Sequence, residues 1–387
     1  MSTERLAPWA ERAVSEHGAT TGGGPGGPGD PGDREQRVLD RIDKARRRRP
    51  KVREDRITSA HGAGGKATQT LVEAVFLDAF RNPALEPLGD AAELTVGGER
   101  VAMTTDSFVV SPLFFPGGDI GDLAVNGTVN DLAVAGATPR YLSCGFIIEE
   151  GFEVADLRSI VSSMTAAADA AGVALVTGDT KVVGKGSGDG CYLNTTGIGT
   201  LDPDRALGVH TVRPGDAVLV SGPVGDHGVT IMLERGELDI DADLESDTAP
   251  LNGLCRGLLD AVPGVRAMRD ATRGGVATVL NEVARAAQVS VVVEEDAVPV
   301  REEVRGACEL LGIDPLYVAC EGRFVAVVDG AQAETAVAAL RSQPLGAGAR
   351  VIGHVGDDPP GLVLLKTGFG GTRIVDLLVG DPLPRIC

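Results

Sequence analysis

The chain has 387 residues and a formal net charge of −19, with 43% hydrophobic but only 3% aromatic residues. This length suffices for one large domain or two ordinary ones, whose core must be built from aliphatic side chains. The acidic balance excludes an extended nucleic-acid surface, because phosphate contacts need clustered Lys and Arg, but it allows nucleotide binding through carboxylate-held Mg²⁺.

Residues 1–55 differ in composition from the rest. Gly22–Asp33 is almost entirely Gly and Pro and cannot bury a core. The basic run Arg46–Arg49 fits either a partner tether or a solvated extension, and we predict that 1–55 is disordered. We find no signal-peptide core and no membrane-spanning stretch, so a cytoplasmic location is the default expectation.

Residues 56–210 read as a first domain of mixed helices and strands. The predicted helices are Lys66–Phe80, Asp119–Ala137 and Asp156–Ala171. The predicted strands are Arg100–Val110, Ala174–Val183 and Cys191–Gly199.

Residues 211–365 read as a second domain of the same kind. It begins with the strand Ala217–Val220 and a Gly-rich turn, Ser221–Gly228. Further helices are predicted at Leu251–Ala261, Gly275–Ala287 and Ala331–Arg341, and strands at Val289–Glu294, Phe324–Val328 and Val351–Val355. Because no regular βαβ period appears, we expect two α+β domains, followed by a flexible, exposed tail over 366–387.

Short polar residues gather around the predicted helix at 119–137. Asp122, Asn126 and Asn130 are four residues apart and therefore share one helix face, with Asp119 at its start and Asp131 beside the stripe. Asp106 ends the strand before it. Such groups suit Mg²⁺ and phosphate oxygens, but a helix cap at Asp119 plus a solvated face explains the spacing equally well.

Two Gly-rich elements each precede a predicted helix. His61–Lys66 could cover phosphates with its backbone N–H groups and Lys66, although the Walker A spacing is absent. Asp270–Gly275 offers Arg273 as an anion contact. A plain N-cap by Asp270 or Thr272 is the alternative there.

A strand end and a pre-strand carboxylate complete the candidates. Gly178, Asp179 and Thr180 lead to Lys181 at a strand end, where we place nucleotide contacts. Glu321 precedes a later strand. Lys181 and Glu321 could relay protons if they meet, and a structural salt bridge is the alternative.

The six cysteines form no C-x-x-C pair, which favours reduced thiols over a zinc or disulfide framework. Cys387 is the last residue. A thiol there has no evident packing role, and on a tether it could enter an active site, accept a group and leave to meet a partner. We therefore predict that Cys387 carries the substrate.

Several stretches together resemble one known family, the HypE hydrogenase maturation factors. The resemblance covers the chain from about residue 57 to the end. The matching stretches are HGAGGKA, TTDSFVVSPLFFPGGDIG, NDLAVAGATPRYLSCGF, VTGDTKVV, SGPVGDHG, RDATRGGV, RGACELLG, CEGR and the terminal PRIC.

The resemblance implies a PurM-like α+β fold of two domains, in which the first domain forms a homodimer and ATP lies near the cleft with Asp-bound Mg²⁺. By motif position, Lys66 resembles the family's loop lysine. The residues that resemble its metal and phosphate ligands are Asp106, Asp119, Asp131 and Asp270; we add Asn130 and Arg273 as nucleotide contacts.

The implied reaction is the ATP-dependent dehydration of a carbamoyl group on Cys387 to a thiocyanate, with Lys181 and Glu321 as proton acceptors. The carbamoyltransferase HypF would load the thiol. The cyano group would pass to iron on a HypC–HypD complex, for a [NiFe] hydrogenase.

Two other interpretations stay open. A kinase or selenophosphate synthetase of the same superfamily is one, although the Ser59–Gly62 loop lacks the reactive Cys that the synthetase usually carries. A non-catalytic assembly partner is the other, and it is disfavoured by the joint presence of Asp106, Asp119, Asp131, Lys181 and Glu321.

Overall fold

The computed structural model describes residues 51–52, 54–237, 242–380 and 385–387. Pro50–Cys387 forms one compact unit. The extension predicted for residues 1–55 lies almost entirely outside the described residues.

Sheet 1 has five strands in the order β1-β2-β7-β5-β6. All neighbours are antiparallel except β5 and β6, which run parallel. The strands are β1 (Ala92–Val96), β2 (Glu99–Phe108), β5 (Ala137–Glu149), β6 (Ala174–Val183) and β7 (Cys191–Leu201), and β3 (Phe114–Phe115) and β4 (Gly118–Asp119) form a separate small ribbon.

Sheet 2 has seven strands in the order β14-β13-β10-β12-β8-β11-β9. Only β10 and β13 pair in parallel. The strands are β8 (Ala217–Val220), β9 (Val265–Asp270), β10 (Ser290–Glu294), β11 (Phe324–Val328), β12 (Arg350–Gly356), β13 (Val363–Lys366) and β14 (Thr372–Val375).

The helices lie on these sheets. Helix α1 (Lys66–Leu71) continues as a π-helical segment, Val72–Leu77, and ends with Asp78–Phe80. The others are α2 (Ile120–Val134), α3 (Val154–Ala171), α4 (Asp226–Glu234), α5 (Asn252–Ala261), α6 (Gly275–Ala287), α7 (Glu302–Leu311) and α8 (Ala333–Arg341).

Helix α2 is the centre of the molecule. It contacts strands β2, β5 and β7 of sheet 1, helices α3 and α5, and strand β9 of sheet 2. Apart from Asp122 and Asp131, all its residues are buried. A helix covered on every side needs apolar or small residues all round, which is why its few polar groups must find partners inside the protein.

The predicted α+β class is confirmed, and most predicted elements are present. The two sheets come from consecutive stretches of chain, 92–201 and 217–375; the domain limits 56–210 and 211–365 stay a prediction. The helix predicted at Asp119–Ala137 is shorter because Asp119 caps it and Gly136, with a φ of 83°, ends it.

Two predictions for the second half need correction. The prediction of a Gly-rich turn over Ser221–Gly228 is wrong for its last three residues, because helix α4 begins at Asp226. Gly225, which precedes the helix, has a φ of 89°, a conformation that favours glycine. The tail predicted from residue 366 starts later, because β14 pairs antiparallel with β13 and Leu377 is buried. Among the helices that the structure describes, none has both the length and the apolar character needed to cross a bilayer.

Candidate active site

The last three residues lie against the segment that follows β2. The Val109 N–H donates to a main-chain carboxylate oxygen of Cys387 at 3.0 Å, and the Ser111 N–H donates to the Arg385 carbonyl oxygen at 3.3 Å. The Arg385 Nε donates back to the Val109 carbonyl at 3.0 Å. Ile386 is only 4% exposed and belongs to the apolar core beneath sheet 1. Cys387 is therefore half-buried, not held out in solvent.

A cavity of about 200 Å³ lies beside this thiol. It is lined by Cys387, Gly62 and Ala63 from the first Gly-rich loop, and Arg273 and Gly274 from the second, among others. The two loops, predicted separately, pack on each other: a Cβ at position 64 would lie 2.6 Å from the Arg273 carbonyl oxygen. Glycine is required there by this close approach and by a φ of 75°.

Three carboxylates from different parts of the chain, Asp106, Asp270 and Glu321, lie near Cys387, and a fourth, Asp131, lies near two of them. Asp106 lies on β2, Asp131 on α2, Asp270 at the end of β9 and Glu321 just before β11. Burial raises the pKa of each, and their mutual repulsion raises those of Asp131, Asp270 and Glu321 further. Burial and then Glu321 raise the pKa of the Cys387 thiol. Such mutual shifts require proximity, so these groups form one cluster.

Arg273 is the cation of this cluster. Its pKa is raised chiefly by Cys387, and further by Asp106 and Glu321, against the opposing effect of burial. Its guanidinium donates to the Gly62 carbonyl at 3.3 Å, which ties the second Gly-rich loop to the first. Arg273 and Cys387 line the same pocket, where a negative group on Cys387 or an incoming phosphate would be stabilised.

An ion pair between Arg269 and Asp90, which the sequence did not predict, lies beside the cluster. The Arg269 guanidinium lies 2.7 Å from Asp90 and 3.9 Å from Glu282. Burial raises the pKa of Asp90, and Arg269 opposes that rise. Asp90 also raises the pKa of Asp131 and Asp270. No spacing pattern marks Asp90 in the sequence, so only the fold could reveal its place.

The backbone of Glu321 makes hydrogen bonds to neighbouring side chains, whereas its carboxylate is available for chemistry in the site. Its N–H donates to an Asp247 carboxylate oxygen at 2.9 Å, and its carbonyl accepts from Asn130 at 3.2 Å. Glu321 Oε1 is buried without a hydrogen-bond partner among the described residues. A buried acceptor of this kind fits a proton, a cation or a donor on the substrate.

Asn130 has a structural role, which corrects its predicted role as a nucleotide contact. Its amide nitrogen donates to the carbonyls of Ala249, at 3.1 Å, and Glu321. Its side-chain oxygen accepts from the Leu251 N–H at 2.7 Å. Asn130 therefore fastens α2 to the segment before α5, and it positions Glu321.

Asp119 is not part of the carboxylate cluster, so its predicted place among the metal ligands is also corrected. Its carboxylate caps α2, accepting from the N–H groups of Gly121 at 2.6 Å and Asp122 at 3.3 Å. Twelve residues of helix separate Asp119 from Asp131 by about 18 Å. Within the described ranges, no three His, Cys, Asp or Glu side chains are arranged as a ready-made metal centre.

The predicted strand end at Lys181 lies away from the buried cluster. Lys181 is exposed on β6, an edge strand of sheet 1, and pairs with Asp179 at 2.5 Å. Thr180 is exposed as well, and Gly178 is explained by packing, since a Cβ there would lie 2.3 Å from the Cys144 carbonyl oxygen. The single chain does not bring Lys181 to Glu321, which is only 3% exposed.

Lys66 begins α1, directly after the first Gly-rich loop. Its backbone N–H donates to the Leu378 carbonyl at 3.0 Å, and its side chain is exposed. The loop therefore has the predicted place beside the pocket, while a contact of Lys66 with a phosphate stays a prediction.

Family comparisons agree with this architecture. Residues 88–201 match the N-terminal domain of AIR synthase related proteins, and residues 213–365 match their C-terminal domain. The fold is thus that of the AIR synthase related class, the PurM-like proteins.

Individual relatives narrow the class further. The chain is 53% identical to the carbamoyl dehydratase HypE of Rhodobacter capsulatus over 338 residues, 87% of this chain and 99% of that protein. It resembles the crystal structure of a HypE–HypF complex with a TM-score of 0.76 and 48% identity, over 80% of this chain and 99% of that one. A structure of HypE in complex with ATP gives a TM-score of 0.72 and 49% identity, over 84% and 98%. The chain belongs to the HypE family.

Proposed function

We propose that this protein dehydrates a carbamoyl group carried on Cys387, using ATP, and so makes a thiocyanate that supplies a cyanide ligand to a [NiFe] hydrogenase. The observation that carries the proposal is the docked tail, which places Cys387 in one pocket with Arg273 and both Gly-rich loops, near enough to Glu321, Asp106 and Asp270 for their charges to raise the pKa of its thiol. The relatives named carbamoyl dehydratase and the ATP complex of a HypE protein support it.

The reaction balances without any redox partner. The carbamoyl oxygen attacks the γ-phosphorus of ATP and releases ADP, which turns a poor leaving group into phosphate. Loss of phosphate and of both amide protons then leaves S–C≡N. Glu321 is suited to accept a proton, because burial and neighbouring carboxylates raise its pKa well above the ordinary value. Arg273 is suited to stabilise the charge that develops on the transferred phosphoryl group.

Mg²⁺ fits the chemistry of the three aspartates in the carboxylate cluster. Asp106, Asp131 and Asp270 repel one another, and Glu321 Oε1 has no hydrogen-bond partner among the described residues. A bound cation would therefore reduce the repulsion among these carboxylates. These three aspartates would hold the ion together with the phosphates of ATP, since in the described residues they do not form a metal centre by themselves. When bound, Mg²⁺ neutralises phosphate charge during transfer.

We further propose a homodimer formed through the open face of sheet 1. Helices α2 and α3 cover the other face, but here Met103, Ile198 and Tyr141 form an exposed apolar row across three neighbouring strands. A row of this kind on a sheet face favours a protein contact. In a dimer, Lys181 at the sheet edge could serve the site of the second copy as the other proton acceptor.

Mixed dimers test this assignment of Lys181. Lys181→Ala and Glu321→Gln chains, each inactive alone, would regain about a quarter to a half of wild-type turnover when mixed, since one site per heterodimer is intact if the two residues act across the interface. Mixing that restores no activity, or a chain that runs as a monomer, would remove Lys181 from this role.

The proposed partners are those that the resemblance to the HypE family implies. A carbamoyltransferase such as HypF must load the thiol, in line with the HypE–HypF structure, and a HypC–HypD complex would receive the cyano group on iron. All six cysteines are free, and we place the reaction in the reducing cytoplasm.

Intact-mass analysis tests the function directly. The protein is incubated with ATP, Mg²⁺, carbamoyl phosphate and the carbamoyltransferase, and the C-terminal peptide is then weighed. We expect first the carbamoyl adduct on Cys387 and then, only with ATP, the loss of one water. A carbamoyl adduct that persists with ATP present would refute the proposal.

A further inference from the structure

Two residues on one face of helix α4 hydrogen-bond to the tail, and a third between them shares an apolar cluster with it. His227, Ile231 and Arg235 are four residues apart and so lie in one row along the helix; Arg235 is the residue that ends it. His227 Nε2 lies 2.9 Å from the Ile386 carbonyl oxygen. Arg235 donates to the Arg385 carbonyl oxygen, and Ile231 belongs to the same buried apolar cluster as Ile386.

The hydrogen bond from His227 has a defined direction. A carbonyl oxygen can only accept, so Nε2 carries the hydrogen, and Nδ1 accepts from the Ser246 hydroxyl at 2.8 Å. Burial lowers the pKa of His227 to about 4, so the ring is neutral at physiological pH. Phe115 packs edge-on against it with 5.6 Å between ring centroids. The ring is therefore fixed in both tautomer and orientation.

Arg235 links the tail to the segment 109–111, which lies on the other side of the tail from α4. Its Nε donates to the Ser111 carbonyl at 2.5 Å, while Ser111 itself donates to the Arg385 carbonyl. The Arg385 side chain is bound separately, by the Asp189 carboxylate. The tail is thus held between α4 and the 109–111 segment, mainly by its backbone carbonyls.

We propose that His227 and Arg235 form a tail clamp, which binds the two carbonyls before Cys387 and so places the terminal thiol at Glu321 and Arg273. They are positioning residues and do not touch the reacting atoms. The clamp binds the backbone carbonyls of residues 385 and 386. It therefore fixes the distance between the clamp and the thiol, which lies one residue beyond the second bound carbonyl. As a role in catalysis, the inference rests on the proposed dehydration.

Alkylation of Cys387 measures whether the clamp exists. The other five cysteines are buried, so iodoacetamide labelling of the C-terminal peptide reports how often the tail leaves its seat. We expect His227→Leu to raise the labelling rate about fivefold, the factor that one hydrogen bond contributes, and Arg235→Leu to raise it at least as much. His227→Gln keeps an N–H donor and should stay near wild type, as should the control Arg256→Leu, whose arginine is exposed on α5.

Dehydration of the carbamoylated protein measures whether the clamp positions the thiol. We expect His227→Leu to lose about 100-fold in single-turnover rate, the effect of a misplacement of about 1 Å, with partial rescue in His227→Gln and an unchanged affinity for ATP. A glycine inserted between Ile386 and Cys387 alters no buried side chain of the clamp but shifts the thiol by up to about 3.5 Å, and it should be equally defective.

The outcomes separate this inference from the proposed function. A wild-type protein that never loses water refutes the dehydration, and the labelling rates still decide whether the tail is clamped. If wild type does lose water but His227→Leu and the glycine insertion do so equally fast, the clamp has no positioning role. Labelling rates that are equal in wild type, His227→Leu and Arg235→Leu would overturn the clamp itself.

Discussion

Replacing Arg269 with Met should lower the free energy of unfolding more than replacing an exposed arginine does. Arg269 lies on β9 with only 12% of its side chain exposed, and its partner Asp90 is 18% exposed at 2.7 Å. It also donates to the Leu88 carbonyl at 3.2 Å. The variant would leave the Asp90 carboxylate buried without its cation, and breaking a buried pair from one side costs about 3–5 kcal/mol.

The loss should depend on pH in a defined direction. Burial already raises the pKa of Asp90 above 3.8, and Arg269 opposes that rise. An acid with a raised folded-state pKa contributes stability below its unfolded pKa, and this is lost as the pH rises through the folded value. Removing Arg269 raises the Asp90 pKa further, so the deficit of the variant should be small near about pH 5 and larger near about pH 8.

Urea unfolding followed by circular dichroism at the two pH values measures both effects. The control is Arg256→Met on α5, whose arginine is 63% exposed and pairs with Asp260 one turn away; it should change stability by less than about 0.5 kcal/mol. The double variant Asp90→Asn with Arg269→Met should recover part of the loss, because no buried charge remains. Equal midpoints for Arg269→Met and wild type, or a deficit that is the same at both pH values, would refute the reasoning.

Three further changes test the site. Asp131→Asn should lower ATP turnover by at least about tenfold with the Thr104 hydrogen bond to the side chain retained, and unchanged turnover in an ATPase assay would remove Asp131 from the site. Asp119→Ala should instead cost about 1 kcal/mol of unfolding free energy through the lost cap and leave ATP turnover alone; an inactive but stable protein would contradict its structural role. Glu321→Gln should accept the carbamoyl group normally but dehydrate it about 100- to 10,000-fold more slowly, as single-turnover mass analysis would show, whereas a normal rate would rule out Glu321 as the proton acceptor.

The sequence predicted several elements that have a simple local pattern, such as the continuous apolar runs Ala217–Val220 and Phe324–Val328 and the helical apolar spacing of Gly275–Ala287. The strands Ala174–Val183, Ala217–Val220 and Phe324–Val328 and the helix Gly275–Ala287 are found with the predicted bounds. Strand β5 escaped prediction because Gly, Pro and polar residues interrupt it; its long pairing with β7 and β6 stabilises it nonetheless. Tertiary pairing of this kind overrides local preference, and no single-chain pattern reports it.

The site shows the same division between local and long-range information. The sequence indicated which residue types carry chemistry, and the fold brought Asp106, Asp131, Asp270 and Glu321 together from four separate segments. The sequence could not distinguish a metal ligand from a helix cap at Asp119, because a carboxylate at the start of a helix can serve either purpose. Nor could it show that Asn130 uses its hydrogen bonds within the protein.

The docked tail also sets a condition on the proposed reaction cycle. In its seat the Cys387 thiol is half-buried, and burial together with Glu321 raises its pKa. A raised pKa disfavours the thiolate, which is the nucleophile, so the docked position disfavours loading of the thiol. We therefore expect Cys387 to accept the carbamoyl group while the tail is away from the clamp. Once loaded, the sulfur can no longer ionise, so the neighbouring carboxylates that disfavour the free thiolate have no such effect on the S-carboxamide.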